Sequence, residues 1–320
     1  MATAARLASR VLLSRILPSR VLPSRPSRSR RSRLAARAAS SSPDDDPPPR
    51  PAYDRAVHAI VVGGSSGMGK AAALECVKRG GSVLIASRSR AKLERARAEL
   101  ASTLGLDPDE AAARVALDVV DASDEASVEA FFSRVAPGEY NALIVSAADR
   151  AVHGAFLDLP TSSVREFVDS KFWGAYHCAK HGAPALADGG AVVLFSGVLG
   201  RRPGVNCSPL AICNGAVEAL ARTLALELGP RLRVNAFSPG FVDTERFDHM
   251  DPERREAMLE STGRSLPLRR VGEAADAGLA LHFLAQSAYT TGTVLDCDGG
   301  HQVRQYADAG GDPMRRAQKD

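Results

Sequence analysis

Thirteen residues, His58–Lys70 (HAIVVGGSSGMGK), constrain this chain more than any other stretch. Ala59–Val62 is apolar and rich in β-branched residues, as a buried strand requires. Glycines 63, 64, 67 and 69 follow at once, and a helical pattern then begins at Lys70. A strand that turns through glycines into a helix aims unpaired backbone N–H groups, and the positive helix end, at an anion. The turn therefore predicts a nucleotide site. Gly63, Gly67 and Gly69 let the backbone approach a pyrophosphate, and the Ser65 and Ser66 hydroxyls donate hydrogen bonds. The spacing Gly63-x-x-x-Gly67-x-Gly69 is not the tighter G-x-G-x-x-G, and a βα turn without a ligand is the alternative.

Further strands are expected at 82–86, 113–117, 141–146, 191–195, 232–237 and 292–296. Helices are expected between them, at 71–79, 92–104, 123–134, 164–186 and 211–228. Such alternation implies an α/β fold: a single Rossmann-type doubly wound domain whose seven-stranded parallel sheet has helices on both faces. A ligand then binds at the carboxyl ends of the strands. At the end of the second strand an acid would bind the adenosine ribose hydroxyls; Ser87 and Arg88 stand there instead. A guanidinium fork matches phosphate oxygens, so NADP(H) is expected rather than NAD(H). Asp118, past the third strand, is placed to accept from an adenine amino group or to cap the next helix.

With 320 residues, 45% of them hydrophobic, the chain can bury one sizeable core. No apolar run approaches the length of a membrane helix, so a soluble protein without membrane contacts is expected. The five cysteines are scattered and lack any CxxC, which argues for a reducing compartment and against disulfides or a zinc site. The net charge of +4 misleads: residues 1–43 hold ten arginines and no acid, leaving −6 (+4 less 10) on the remainder. A nucleic-acid-binding body is not indicated. Residues 1–42, rich in Arg, Ser, Ala and Leu, read as a disordered organelle transit peptide, plastid first and mitochondrion second. Residues 43–56 read as a linker, 57–303 as the folded domain and 304–320 as a tail.

Beyond the turn, the motifs VGGSSGMG (62–69), ASRS (86–89), LDV (117–119), NGAVEALARTLALEL (214–228), RVNAFSPGFVDT (233–244) and TGTVLDCDGG (291–300) resemble the short-chain dehydrogenase/reductase family. The resemblance spans nearly the whole body. It implies hydride transfer between NAD(P) and a carbonyl or alcohol carbon of a small-molecule substrate. It carries cofactor contacts to Gly63, Ser65, Ser66, Gly67, Met68 and Gly69, to Ser87, Arg88, Asp118 and Val119, and to Ala147 and Asn214. It also implies that Pro239 and Gly240 flank the nicotinamide and that 244–266 forms a substrate lid. A homodimer or homotetramer pairing helices 164–186 and 211–228, with Ala175, Ala179, Ala216 and Ala219 outward, is implied as well.

The same resemblance exposes what is missing. The family's relay uses a Tyr, a Lys four residues later on the same helical face, a Ser and an Asn. Those positions here are Leu210, Asn214, Gly197 and Lys171. Leu210 cannot donate a proton, and Tyr140, Tyr176 and Tyr289 do not stand at the family spacing. Lysine and asparagine have exchanged places, so Lys171 is expected to bring its ammonium beneath the nicotinamide, with Ser196 as the nearest hydroxyl to the lost Ser. A surface or salt-bridged Lys171 is the alternative. His153 is a possible substrate contact, Cys207 and Cys213 read as small apolar residues, and His177 and His181 lack a third metal ligand. Three functions follow: an NADP(H)-dependent oxidoreductase with an atypical site, a catalytically inactive NADP(H)-binding regulatory or partner subunit, and a reductase of activated double bonds.

Overall fold

The computed structural model describes residues 55–304, so the transit-peptide reading, most of the linker and the tail lie outside the described residues. Strand β1 (Ala59–Val62) enters the glycine turn and helix α1 (Gly67–Lys78) leaves it. β2 (Val83–Ser87), α2 (Arg90–Leu104), α3 (Pro108–Arg114), β3 (Val115–Val119), α4 (Glu125–Phe132) and β4 (Ala142–Val145) complete the first half. The second half holds α5 (Thr161–Val168), α6 (Gly174–Gly182), β5 (Gly190–Phe195), α7 (Ser208–Glu227), β6 (Leu232–Pro239), β7 (Val242–Asp243), α8 (Pro252–Ser265), β8 (Gly272–Glu273), α9 (Ala274–Gln286) and β9 (Val294–Cys297). The seven-stranded sheet runs β3-β2-β1-β4-β5-β6-β9 with every pairing parallel, as expected. The strand order reverses beside β1, and at such a switch point a crevice opens at the carboxyl ends.

Period-two alternation divides each strand between two cores. Ala59, Val61, Val83, Ile85, Ile144 and Val193 pack on α1, α2 and α9. Ile60, Val62, Leu84, Val145, Val192 and Leu194 pack on α4, α6 and α7. Each fully buried Ile, Leu or Phe in these layers contributes roughly 1.5–3 kcal/mol of transfer free energy. Helix α9 lies so close to α1 that a Cβ at Gly278 would stand 2.7 Å from the Ala71 carbonyl oxygen.

Four expectations need correction. Ala113 and Arg114 belong to α3, whose capping box of Asp107 and Glu110 extends a helix into the residues read as strand. The helix expected over 164–186 is interrupted by a π-helical turn, Asp169–Trp173, closed by the Gly174 N–H on the Asp169 carbonyl. Ala175 and Ala179 face inward, 3% and 2% exposed, packed against the sheet rather than outward. The cap of α4 is Asp124, whose side chain accepts from the Ala126 N–H, and not Asp118.

Candidate functional site

The glycine turn is built for close approach. At Gly63, with φ +90°, a Cβ would lie 2.6 Å from the Ala147 nitrogen and the Ser146 hydroxyl oxygen, so a side chain there is excluded. Ser66 is the N-cap of α1 but makes no side-chain capping bond, which leaves the helix N-terminus open to another acceptor. That acceptor is Glu245, from the segment after β7: its carboxylate accepts the Gly67 N–H at 2.8 Å and pairs with Lys70 at 2.7 Å. Lys70 also meets Glu99 at 2.5 Å. Burial pulls the Glu245 carboxyl up, but Lys70 and the backbone N–H groups outweigh it and hold it below the usual carboxylate range. A carboxylate therefore stands where the sequence places a pyrophosphate.

A similar pairing closes the second strand end. Arg88 meets Asp149 at 2.5 Å across the crevice, and the Ser87 hydroxyl is buried without a partner among the described residues. Asp118 is held by Arg134 at 2.7 and 3.1 Å and accepts the Val119 N–H. The glycine cradle, the helix N-terminus that Glu245 now caps and the unpaired Ser87 hydroxyl fit a phosphate-bearing dinucleotide. Neither Glu245 nor Lys70 was singled out from the sequence; the only signals were a lysine one turn into the helix and an acid two residues past β7.

The candidate catalytic region lies at the end of β5. Lys171, in the π-helical turn, is buried, and its Nζ donates to the carbonyls of Phe195 and Ser196, both at 3.2 Å. No carboxylate pairs with it among the described residues, so the surface or salt-bridged alternative is excluded. Burial pushes its pKa down to about 8, the nearby Cys213 opposing and the Arg246 charge adding to the fall. Asn214 is buried against the same strand end: a Cβ on Gly197 would meet its Nδ2 at 2.8 Å, and its Oδ1 has no hydrogen-bond partner among the described residues. Lys171 and Asn214 thus flank one strand end.

Ser196 is a correction. Its hydroxyl donates to the Glu218 carboxylate at 2.9 Å and faces the Asn214 carbonyl at 3.2 Å, inside α7. Glu218 in turn pairs with Arg201, which also holds Asp296. Ser196 is a structural member of that buried network and is not free to polarise a substrate. Cys207 is also more than a small apolar residue: its Sγ lies 3.5 Å from His153 Nδ1, joining two loops at the rim of the crevice. Cys213 is buried, with its thiol pushed up to about 11 by that burial. His177 and His181 both face Glu125, at 3.8 and 3.0 Å, and Lys180 shares that carboxylate at 2.7 Å. No group of metal-ligating residues occurs among the described residues.

Fold and turn together define a dinucleotide-binding α/β protein. Residues 62–302 match the family model described as enoyl-(acyl carrier protein) reductase. The short-chain dehydrogenase/reductase ucsE of Acremonium sp is 34% identical over 250 residues, covering 76% of this chain and 94% of that protein. Galactitol 2-dehydrogenase (L-tagatose-forming) of Cereibacter sphaeroides is 34% identical over 258 residues, 77% of this chain and 94% of its own length. A solved small-chain dehydrogenase in complex with NADPH is 36% identical with a TM-score of 0.64, covering 77% of this chain and 98% of that one. The chain belongs to the short-chain dehydrogenase/reductase family of oxidoreductases.

Proposed function

We propose that this protein is an NADP(H)-dependent oxidoreductase acting at a carbonyl or alcohol carbon through an atypical site. The observation that carries the reading is Lys171: an ammonium buried at the end of β5, without a counter-charge among the described residues. When bound, the cofactor supplies the hydride. With the cofactor bound, the Gly63–Gly69 turn would hold the pyrophosphate, Ser87 and Arg88 would hold the 2′-phosphate, and Pro239 and Gly240 would border the nicotinamide. Lys171 holds a proton on Nζ with a pKa about 8, suited to transfer near neutral pH in place of the absent tyrosine. Loss of a general acid lowers a rate by about 10²–10⁴-fold without abolishing the reaction.

A second reading, an inactive NADP(H)-binding regulatory or partner subunit, draws on Leu210, Asn214 and Gly197, which together remove the family relay while the cofactor turn stands. NADPH oxidation by the body, measured across aldehydes, ketones and enones, separates the two. Turnover in any class supports the oxidoreductase; binding without turnover throughout supports the second reading. The cofactor choice has its own test: Arg88→Ala should weaken NADPH about tenfold or more and leave NADH nearly unchanged. Equal losses for both would defeat the assignment. A plastid location, a small-molecule substrate and a homo-oligomer complete the proposal.

A further inference from the structure

The loops around the crevice sort their charges. Asp149 is held by Arg88 and Glu245 by Lys70 and the Gly67 N–H. Asp243 and Asp248 both turn to Arg255, at 2.7 and 2.9 Å, and Asp251 caps α8. These five acids are thus neutralised or engaged in a cap, whereas Asp158 and Asp169 of the neighbouring segments make no ion pair among the described residues. The bases are not neutralised. Arg150, Lys171 and Arg246 make no ion pair with a carboxylate among the described residues, and neither do His153 and His249.

These five groups come from three segments that the fold brings to one place. The loop after β4 supplies Arg150 and His153, the π-helical turn supplies Lys171, and the segment after β7 supplies Arg246 and His249. Arg150 donates to His249 Nε2 at 2.7 Å, which ties the first loop to the third. Gly154 donates to the Asn206 carbonyl at 3.1 Å and His153 faces Cys207, which ties the first loop to the start of α7. Glu245 is anchored on the glycine turn, so Arg246, the next residue, is held at the crevice with its guanidinium 5.5 Å from the Phe247 ring centroid. Its charge acts on both Lys171 and His153, and that of Arg150 acts on Arg246. Like charges gathered without counter-charge cost free energy, and a bound anion relieves that cost.

We propose that the substrate carries an anionic group, a carboxylate or a phosphate remote from the reacting carbon, held by Arg246 and Arg150 at the mouth of the crevice. This rests on the oxidoreductase reading and adds substrate class to it. The anion is held and not transformed; its role is orientation, since a guanidinium donates two N–H bonds in one plane to two oxygens of a carboxylate or phosphate. It also steers a negatively charged substrate inward, so the effect weakens with salt.

Two matched pairs test the proposal with NADPH: 2-oxoglutarate against its dimethyl ester, and dihydroxyacetone phosphate against dihydroxyacetone. The anionic member of at least one pair should show a KM about tenfold lower or more, rising with salt. The pair that discriminates tells carboxylate from phosphate. Arg246→Gln should remove that advantage and leave the Kd for NADPH unchanged, while Arg246→Lys should restore part of it. Equal KM values within both pairs overturn the proposal. So does a matching loss of NADPH affinity in Arg246→Gln, which would give this arginine to the cofactor's phosphates. If nothing turns over, the oxidoreductase reading fails by itself. Thermal unfolding of the NADPH complex then decides: a stabilisation by 2-oxoglutarate or dihydroxyacetone phosphate, absent with the neutral partner and lost in Arg246→Gln, supports the anion site. Equal or no stabilisation refutes it.

Discussion

Lys171 couples chemistry to stability, because an ammonium at that depth is costly to keep charged. Its folded-state pKa of about 8 lies below the unfolded value of ~10.4, so the unfolded chain binds the proton more tightly between those limits. The resulting penalty is fully present below about pH 8 and is relieved as the pH rises towards ~10.4. Lys171→Met should therefore raise the melting temperature near pH 7, with the gain fading by about pH 10. In the reducing direction kcat/KM should fall above about pH 8 as the ammonium loses its proton, and Lys171→Met should remove that limb while lowering the rate about 10²–10⁴-fold. A pH–rate profile with no break there would remove Lys171 from proton transfer. Restoring the family pair through Leu210→Tyr with Asn214→Lys is the complementary experiment. A gain of activity, with cofactor affinity unaltered in Lys171→Met, would mark the parent as a retired enzyme. The exchange of Lys and Asn was legible in the sequence because both positions lie within stretches, 169–176 and 214–228, that resemble the family's motifs. The orientation of Ser196 was not, since only the packed α7 offers it the Glu218 carboxylate.

Among the elements, α1 carries the cofactor turn and is also the most constrained by its neighbours. Glu245 competes at its N-terminus with any incoming phosphate. Glu245→Gln should tighten NADPH about tenfold by removing a charge-assisted contact, a change that fluorescence titration would read. An unchanged Kd would mean that the carboxylate leaves without cost. On the other side of α1, Gly278→Ala would drive a methyl group into the Ala71 carbonyl, so chemical denaturation should show a loss of roughly 1–3 kcal/mol. The glycine turn was legible because a strand, four glycines and a helix follow one another within a dozen residues. The π-helical turn was not: nothing in Asp169–Trp173 (DSKFW) departs from an ordinary helical composition, and its extra residue per turn emerges only from packing.

For the whole molecule, the seven-stranded sheet supplies one body, and the exposed aromatic and aliphatic side chains on its outer helices give it a surface to cover. Trp173 at the start of α6, Tyr176 on α6, and Ile212 and Leu226 on α7, are all exposed, on the helices that the family resemblance pairs between subunits. Light scattering at micromolar concentration should report a dimer or larger; a monomer would refute the pairing. No helix among the described residues is long and apolar enough to cross a membrane. A chain beginning at Pro43 should melt at the same temperature as the full chain, because residues 1–42 have a composition that cannot build a core. Aggregation or a much lower transition would make that segment part of the fold.

The sequence by itself determined the α/β class, the parallel sheet and the cofactor turn. All three rest on local periodicity and on backbone conformations that only particular residues tolerate. Tertiary structure decided which charges face the crevice. Asp149, Glu245, Asp243 and Asp248 lie close in sequence to Arg150, Arg246 and His249, and spacing alone cannot tell which carboxylates turn away. Arg88 and Lys70, drawn from distant segments, and Arg255, on the helix that follows, capture these acids and leave the bases uncompensated. That sorting is long-range, because an ion pair depends on distance in space and not on separation along the chain.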